Sequence, residues 1–155
     1  MMWLDSGHIS RTLEAAFNDI LSKRMQGFPL LNSALSVQSV GFKHVNEDWV
    51  GVLVTPWFMN LVLMPGQHSV WQTQQSGSKI AKRFPYGEFE FTLGSEPQLG
   101  SYAFCSLFSP MFQFDNQDAA IISAHAALQG LLAENAPRSI SRRDLLRGAI
   151  GNGKP

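Results

Sequence analysis

Near the start of the chain, apolar residues recur at intervals of three and four positions, the spacing of one face of an α-helix. The residues with this spacing are Leu13, Phe17, Ile20 and Leu21. Ser10 stands just before them and is a residue type that commonly caps a helix. The pattern predicts an amphipathic helix over residues 10–25 with Ser10 as its cap, ending before the turn sequence at residues 27–29.

Short apolar or alternating runs follow, and such runs are typical of β-strands. The predicted strands cover residues 35–45, 48–54, 87–93 and 101–108. Phe89, Phe91 and Leu93 alternate with polar residues, which predicts one strand with a buried face and a wet face. The run at residues 101–108 has apolar side chains at odd and even positions, so we expect a central strand covered on both sides.

The most apolar stretch of the chain, residues 51–66, has the composition of a membrane segment but not its continuity. It contains Pro56, Asn60 and Pro65, whereas a spanning helix needs about 20 consecutive apolar residues. Because proline cannot donate a hydrogen bond to a sheet, Pro56 and Pro65 predict the ends of strands. We therefore expect two short strands joined through Pro56.

A second helix is predicted after residue 115, where Asp115 and Asp118 have the spacing of a capping box. The apolar residues that follow at helical spacing are Ile121, Ala124, Leu128 and Leu132. We expect the helix to end near residue 134, and residues 135–138 have the composition of a linker.

The predicted order is a helix, several strands, a second helix and a C-terminal segment, without alternating strand and helix repeats. This order favours an α+β fold in a single domain, with an antiparallel β-sheet flanked by an N-terminal helix and a C-terminal helix. The domain is predicted to cover residues 1–134, and residues 135–155 are predicted to be a linker and a flexible or helical tail.

Charge and composition narrow the possible functions. The 155 residues are 45% hydrophobic and only 15% charged, and the formal net charge is zero. Binding to nucleic acid by neutralising phosphates requires a basic excess, which this chain lacks. The neutral charge also argues against binding to a membrane surface. Residues 1–11 contain Asp5 and no apolar run, so we expect no secretory signal and a cytoplasmic location.

The residues that could carry catalysis are scattered. The four histidines, His8, His44, His68 and His125, lack the spacing of a metal site, so we expect neither a metal nor a cofactor. The single cysteine, Cys105, is interpreted as a buried thiol; the alternative is a nucleophile of a thiol-dependent enzyme. Glu88 and Glu90 share a strand face and could act as a carboxylate pair, although a solvated face explains them more simply.

Aromatic and methionine residues are concentrated beside turn residues. The members of this set are Trp57, Phe58, Met59, Trp71, Met111, Phe112 and Phe114. Side chains of these types suit surfaces that hold apolar peptides of varied sequence. We interpret the set as a partner-binding surface, and the alternative for each member is a place in the core.

Residues 141–148, with the sequence SRRDLLRG, resemble the core of a twin-arginine export signal. Only seven residues follow them, and these lack the apolar run of about 7–15 residues that a working signal needs. Arg142 and Arg143 therefore suggest mimicry of such a signal. Ser141 and Asp144 also have the spacing of a capping box, so an ordinary capped helix is an equal alternative.

Four blocks of sequence, together with this tail, carry a family resemblance. The blocks are residues 32–42, 49–60, 84–91 and 102–111, of which TPW at 55–57 and CSL at 105–107 are the most specific. The chain resembles the HybE/HupJ family of nickel-iron hydrogenase assembly chaperones over nearly its whole length. Some members carry a fused rubredoxin-like module, but this chain lacks the cysteine pairs that such a module needs.

The resemblance implies a non-catalytic cytoplasmic chaperone without a cofactor. Its implied partner is the hydrogenase small-subunit precursor, or the twin-arginine signal peptide of that precursor. The large subunit is a further candidate partner. The candidate acids for facing the signal's arginines are Glu88, Glu90 and Glu96, chosen only because they lie on or near the predicted surface of the sheet. A general peptide-binding adaptor unrelated to hydrogenase remains an alternative. The tail could also occupy the chaperone's own groove when cargo is absent.

Overall fold

The structure, a computed structural model, describes residues 2–133. Its elements are α1 (Ser6–Arg24), β1 (Gln38–Val45), β2 (Asp48–Val54), β3 (Met59–Pro65), β4 (Lys79–Phe84), β5 (Gly87–Glu96), β6 (Gly100–Phe108) and α2 (Gln117–Leu131), with one short 3-10 turn at Trp71–Thr73. All six strands lie in one antiparallel sheet in the order β1-β2-β3-β6-β5-β4. The predicted α+β fold with a helix at each end of the domain is confirmed.

The sheet is strongly curled. In the sheet order β2 and β4 are separated by three strands, so a flat sheet would hold them about 19 Å apart. Yet Lys82 Nζ of β4 lies 3.2 Å from Asp48 Oδ2 of β2. The β4–β5 turn also reaches α2, where the Tyr86 N–H donates to Leu131 O over 3.1 Å. The curled sheet therefore has a concave face, which α2 covers, and a convex face, which carries α1.

A separate hydrophobic cluster fills each face of the sheet. The concave cluster contains α2 residues such as Ala124 and Leu128 together with Phe91 and Cys105. The convex cluster joins α1 residues to side chains such as Tyr102. β6 lies between β3 and β5 and contributes to both clusters. The predicted central position of this strand is confirmed, but its cover on both sides is only partial, because Ser106 near its end is exposed on the convex face.

Helix α1 begins four residues earlier than predicted. Asp5, not Ser10, is its N-cap, because the Asp5 carboxylate accepts a hydrogen bond from the His8 N–H over 2.8 Å. Ser10 instead lies inside the helix, and its hydroxyl meets that of Ser39 on β1 at 2.7 Å. The prediction of Ser10 as cap is therefore wrong, because this serine joins the helix to the sheet.

The predicted strands are present with shifted ends. β2 has the predicted bounds, β3 ends at Pro65, and Pro56 lies in the turn between them, as expected from the prolines. β1 begins three residues later than predicted, and β5 continues to Glu96. The edge strand β4 was not predicted, because its alternation of exposed Lys79, Ala81 and Arg83 with less exposed residues leaves little apolar signal.

Helix α2 is capped by Asn116, whose side chain accepts from the Ala119 N–H over 2.8 Å, so the prediction of Asp115 as cap is wrong by one residue. The helix ends at Leu131, three residues before the expected end. Its buried residues include Ala124 and Leu128, whereas Ile121 and Leu132 are only half-buried. The predicted division of the chain at residues 134 and 135 lies at the edge of the described residues.

Candidate functional site

The turn between β2 and β3 presents two aromatic side chains at one end of the sheet. Thr55 is fully buried, and its Oγ1 accepts hydrogen bonds from the N–H groups of Trp57 and Phe58 over 3.1 and 2.9 Å. The Thr55 N–H donates to Phe58 O over 2.8 Å, which closes the turn around Pro56. Because the turn is fixed in this way, both rings have defined positions, and each remains half-exposed.

These two rings are also fixed from the side of α1. Trp57 and Phe58 meet edge to face with ring centroids 5.5 Å apart. Phe58 meets Phe17 of α1 in the same geometry at 5.9 Å. Such edge-on contacts between aromatic rings are favourable at these distances. The rings are thus held by packing on one side and open to solvent on the other.

Asn32 joins three loops at this end of the sheet. Its backbone N–H donates to Pro56 O over 2.9 Å, in the β2–β3 turn. Its Nδ2 donates to Met111 O and Phe114 O over 2.9 and 2.8 Å, in the loop between β6 and α2. Its Oδ1 accepts from the Ala34 N–H over 3.0 Å. The loop after α1, the β2–β3 turn and the loop after β6 therefore form one unit.

Each of these three loops exposes apolar side chains. Phe28 and Leu30 of the first loop are 39% and 43% exposed, and Phe112 of the third is 51% exposed. Trp57 and Phe58 supply the second loop's part. We call this set the sheet-end surface: Phe28, Leu30, Trp57, Phe58 and Phe112. Exposed apolar groups gathered in one region commonly mark the docking site of a partner.

The convex face continues from the sheet-end surface without cover from α1. The exposed or half-exposed residues of this open region are Lys79, Ala81 and Arg83 on β4, Glu88, Glu90 and Thr92 on β5, and Phe104 and Ser106 on β6. Phe104 packs on the same cluster as Trp57 and Phe58. β5 begins at the same end of the sheet as the turn, because it runs antiparallel to β6, which ends there at Phe108. Carboxylates and aromatic rings therefore share one end of this face.

Within residues 2–133, the side chains of Glu88 and Glu90 take part in no ion pair or hydrogen bond. Arg83 lies opposite Glu88 in the β4–β5 register, while Ala81 lies opposite Glu90. Glu90 thus has no cation directly opposite it on β4, although Lys79 and Arg83 lie on the same face, two positions to either side of Ala81. Both carboxylates are exposed, so each is accessible to a cationic partner.

Glu96 differs from the other two acids. It lies at the far end of β5, and its carboxylate already accepts hydrogen bonds from Arg24 of α1 over 3.1 and 3.2 Å. Beside it, burial raises the pKa of Tyr102 to about 12, and the negative charge of Glu96 adds to this effect while Arg24 opposes it. The ring of Tyr102 lies across Gly94, where a Cβ would come within 2.9 Å of it. Glu96 therefore serves the attachment of α1 to the sheet.

The aromatic and methionine residues predicted as one partner-binding set lie in two different environments. Met59 and Met111 are fully buried, and Trp71 and Phe114 are 3% and 6% exposed, so these four belong to the core. This is the alternative that the sequence left open. Trp71 has a polar role as well, because its Nε1 donates to both carboxylate oxygens of Asp48 at 3.2 Å.

The other three members of the predicted set, Trp57, Phe58 and Phe112, remain accessible to a partner. Arg142 and Arg143 lie outside the described residues.

The residues considered for catalysis are not brought together. Cys105 is buried in the concave cluster, which denies it the access that a nucleophile needs. Among residues 2–133, no group of three or more His, Cys, Asp or Glu side chains could hold a metal ion. In the same residues, no helix is both long and apolar enough to cross a membrane.

Comparison with known proteins identifies the family. The nickel-iron hydrogenase assembly chaperone family HybE matches residues 8–148. The chain belongs to this family. It is 42% identical over 149 residues to the hydrogenase expression/formation protein HupJ of Bradyrhizobium diazoefficiens, and the alignment covers 89% of this chain and 86% of HupJ. It is 43% identical over 134 residues to protein HoxT of Cupriavidus necator, which covers 79% and 75%.

The fold is shared with a solved member of the HybE family. The solution structure of HybE from Escherichia coli superposes with a TM-score of 0.66 over 85% of each chain, at 24% identity. Membership confirms the resemblance seen in the sequence blocks. It also confirms the expectation of a non-catalytic protein of hydrogenase maturation, because the family consists of assembly chaperones.

Sequence reasoning missed part of the sheet-end surface. Phe28 is predicted only as part of the turn after α1 and Leu30 belongs to no predicted feature, although apolar residues on both sides of Pro29 are a signal of this surface. Asn32 was part of a resemblance block, yet nothing in its local sequence predicts contacts with carbonyls about 80 positions away. Such a role depends on tertiary structure alone.

Proposed function

We propose that this HybE-family chaperone binds the small-subunit precursor of a nickel-iron hydrogenase in the cytoplasm, and that it contacts the precursor's twin-arginine signal peptide. The family implies hydrogenase subunits as partners. The observation that carries the finer proposal is the adjacency of the sheet-end surface to the exposed carboxylates Glu88 and Glu90. A twin-arginine signal combines two cations with an apolar run, and the two regions match these two parts.

The charged part of the proposed contact concerns the open region of the convex face. Arginine pairs with carboxylates through a two-pronged geometry that lysine cannot copy. Glu88 and Glu90 are separated by two positions on one strand face, roughly 7 Å apart along β5. Consecutive arginines of an extended peptide point to opposite sides, so one arginine would pair with a carboxylate at a time or the peptide would turn there.

The apolar part of the proposed contact concerns the sheet-end surface. From β5 to β3 the distance across the sheet is about 10 Å. A peptide whose arginines lie at Glu90 therefore needs only a few residues to reach Trp57 and Phe58. The apolar run of a signal would then cover rings that are already held by Phe17 and Thr55. The chaperone would therefore lose little conformational entropy on binding.

The test is the binding of purified small-subunit precursor, with and without its signal peptide, to the full chain by calorimetry. Phe112→Ala should weaken binding of the precursor about 5- to 30-fold, the range for truncating one anchor residue. Ile122→Ala is the matched control, because Ile122 is also exposed, at 66%, but lies on α2 away from the sheet-end surface. It should leave binding unchanged.

The outcomes separate the levels of the proposal. Binding that survives removal of the signal peptide would place the contact on the mature subunit and refute the signal-peptide contact. Equal losses in the two variants would argue against the sheet-end surface. If the precursor does not bind at all but the large subunit does, the large subunit is the partner, and the small-subunit proposal fails.

A further inference from the structure

In the described part of the chain, the side chains of Glu88 and Glu90 in the open region of the convex face are exposed and form no ion pair. The open region lies beside α1, which crosses the sheet from Ser39 to Glu96 and leaves the beginning of β5 and the end of β6 uncovered. Phe104 is half-buried at its centre, and the exposed carboxylates of Glu88 and Glu90 lie toward β4. We propose that residues 134–155 of the same chain dock on this region, with Arg142 and Arg143 facing Glu88 and Glu90.

The place where the described chain ends supports this occupant. Leu131, the last residue of α2, accepts a hydrogen bond from the Tyr86 N–H in the β4–β5 turn over 3.1 Å. Glu88 follows Tyr86 by only two residues. The C-terminal segment therefore starts beside the hairpin that carries both carboxylates. It needs only to pass round the end of that hairpin to reach the convex face.

The length of the segment is also sufficient. Arg142 follows Ala133 by nine residues, and an extended chain of nine residues spans about 30 Å. The path from Ala133 round the β4–β5 turn to Glu90 is shorter than this, because Glu90 lies four residues beyond Tyr86 at about 3.3 Å per residue. The arginine pair can therefore reach the carboxylates without any change in the sheet.

Charge and apolar content are complementary between the two parts. Arg142 and Arg143 are cations, and the carboxylates of Glu88 and Glu90 form no ion pair among residues 2–133, although Lys79 and Arg83 lie on the same face. Leu145 and Leu146 follow the arginines and would meet Phe104. Exposed ion pairs contribute only about 0.2–1 kcal/mol each in proteins generally, but a short linker holds the segment at an effective concentration in the millimolar range. An intrinsic dissociation constant of about 1 mM would therefore fill the site half of the time.

Docking in this way would make the segment a competitor of cargo, since it presents the same arginine pair to the same carboxylates. This consequence rests on the proposed function, whereas the docking itself does not. The segment would keep Glu88 and Glu90 covered until a true twin-arginine signal, which adds a longer apolar run for the sheet-end surface, displaces it.

The first test uses nuclear magnetic resonance of the full-length chain and needs no cargo. Arg142→Ala/Arg143→Ala should shift the backbone amide signals of residues 86–92 and 104–106. The matched control is Arg138→Ala/Lys154→Ala, which removes the same charge from the same segment outside the arginine pair. It should leave those signals in place. Unchanged amides of residues 86–92 in the Arg142→Ala/Arg143→Ala variant would overturn the docking.

The reciprocal variant gives an independent check of the docking. Glu88→Gln/Glu90→Gln should shift the amides of residues 141–148, whereas Glu47→Gln/Asp118→Asn, two exposed acids off the open region, should not. Absence of any shift in residues 141–148 in the first variant would also count against docking at these carboxylates.

The second test measures binding of a synthetic twin-arginine signal peptide to the same proteins. Arg142→Ala/Arg143→Ala should bind the peptide about 2- to 10-fold more tightly than the unaltered chain. In the unaltered chain the C-terminal segment occupies the site for half of the time or more, and the apparent affinity for the peptide falls in proportion to the fraction of sites left free. An unchanged or weaker affinity would refute competition. If neither protein binds the peptide while the amide shifts are present, docking stands and the proposed function fails.

Discussion

At the scale of single residues, Tyr102 gives a prediction about pH. Burial beside Glu96 raises the pKa of its phenol to about 12, from 10.0. Between these pH values the unfolded chain loses the proton and the folded chain keeps it, so stability is complete below pH 10 and falls as the pH rises toward 12. The loss should reach roughly 2–3 kcal/mol.

The measurement is urea unfolding of the native chain and of Tyr102→Phe at several pH values from 8 to 12. Lysine side chains titrate in the same range, and the difference between the two proteins removes their contribution. Tyr102→Phe should lose less stability than the native chain above pH 10. Parallel curves for the two proteins would mean that the phenol titrates alike in both states.

Helix caps show what residue-level sequence reasoning could and could not predict. Both helices were predicted from the spacing of their apolar residues, because this spacing reflects the buried face directly. Their caps were not, since Asp5 and Ser10, or Asn116 and Asp115, are all suitable acceptors. The choice depends on tertiary contacts such as that between Ser10 and Ser39.

At the scale of elements, Asn32 decides whether the three loops of the sheet-end surface stay together. Asn32→Ala removes the donor to Met111 O and Phe114 O and leaves both carbonyls without it. We expect a stability loss of about 1–3 kcal/mol. Hydrogen exchange should speed up in residues 109–116 and 27–35, while strand β6 should keep its protection.

Ser33→Ala is the control for this variant, because Ser33 is the exposed neighbour of Asn32 in the same loop. It should alter neither stability nor exchange. Precursor binding should weaken in Asn32→Ala if the loops act as one surface. If hydrogen exchange became faster only in residues 27–35, the loop after β6 would be held by other contacts.

The elements also show why the candidate site was only partly predictable. Aromatic and methionine residues beside turns are interpreted as a partner-binding surface, and Trp57 and Phe58 do remain half-exposed. Met111 lies in a comparable setting after Pro110 but is fully buried, because its loop folds back and bonds to Asn32. Whether a side chain beside a turn faces inward depends on a partner loop distant in sequence, which local pattern does not contain.

At the scale of the whole molecule, curvature of the sheet creates the two faces on which the proposed functions depend. The concave face encloses the core beneath α2, and the convex face is left open beyond α1. Sequence alternation in β5 predicted which side chains share a face, including Glu88 and Glu90. It could not predict the curl, because this depends on contacts between β2 and β4, which lie far apart in the sheet order.

The contact that joins these two strands is Asp48 with Lys82. Asp48 is 3% exposed, and its carboxylate accepts from Trp71 Nε1 and Ser69 Oγ as well as from Lys82 Nζ. Lys82→Met keeps the aliphatic stem but leaves a buried carboxylate without its counter-charge. Lys82 is one-third exposed, so the loss should be smaller than that for breaking a fully buried pair. We expect the free energy of unfolding to fall by about 2 kcal/mol.

Lys79→Met is the matched control, since Lys79 lies on the same strand but is exposed and, among residues 2–133, bonds only to Thr92. It should cost a few tenths of a kcal/mol. The double variant Asp48→Asn/Lys82→Met should be more stable than Lys82→Met alone, because no unpaired buried charge remains in it. Additive losses from Asp48→Asn and Lys82→Met in urea unfolding would show that the two strands are held in the curled sheet by packing alone, without coupling between these side chains.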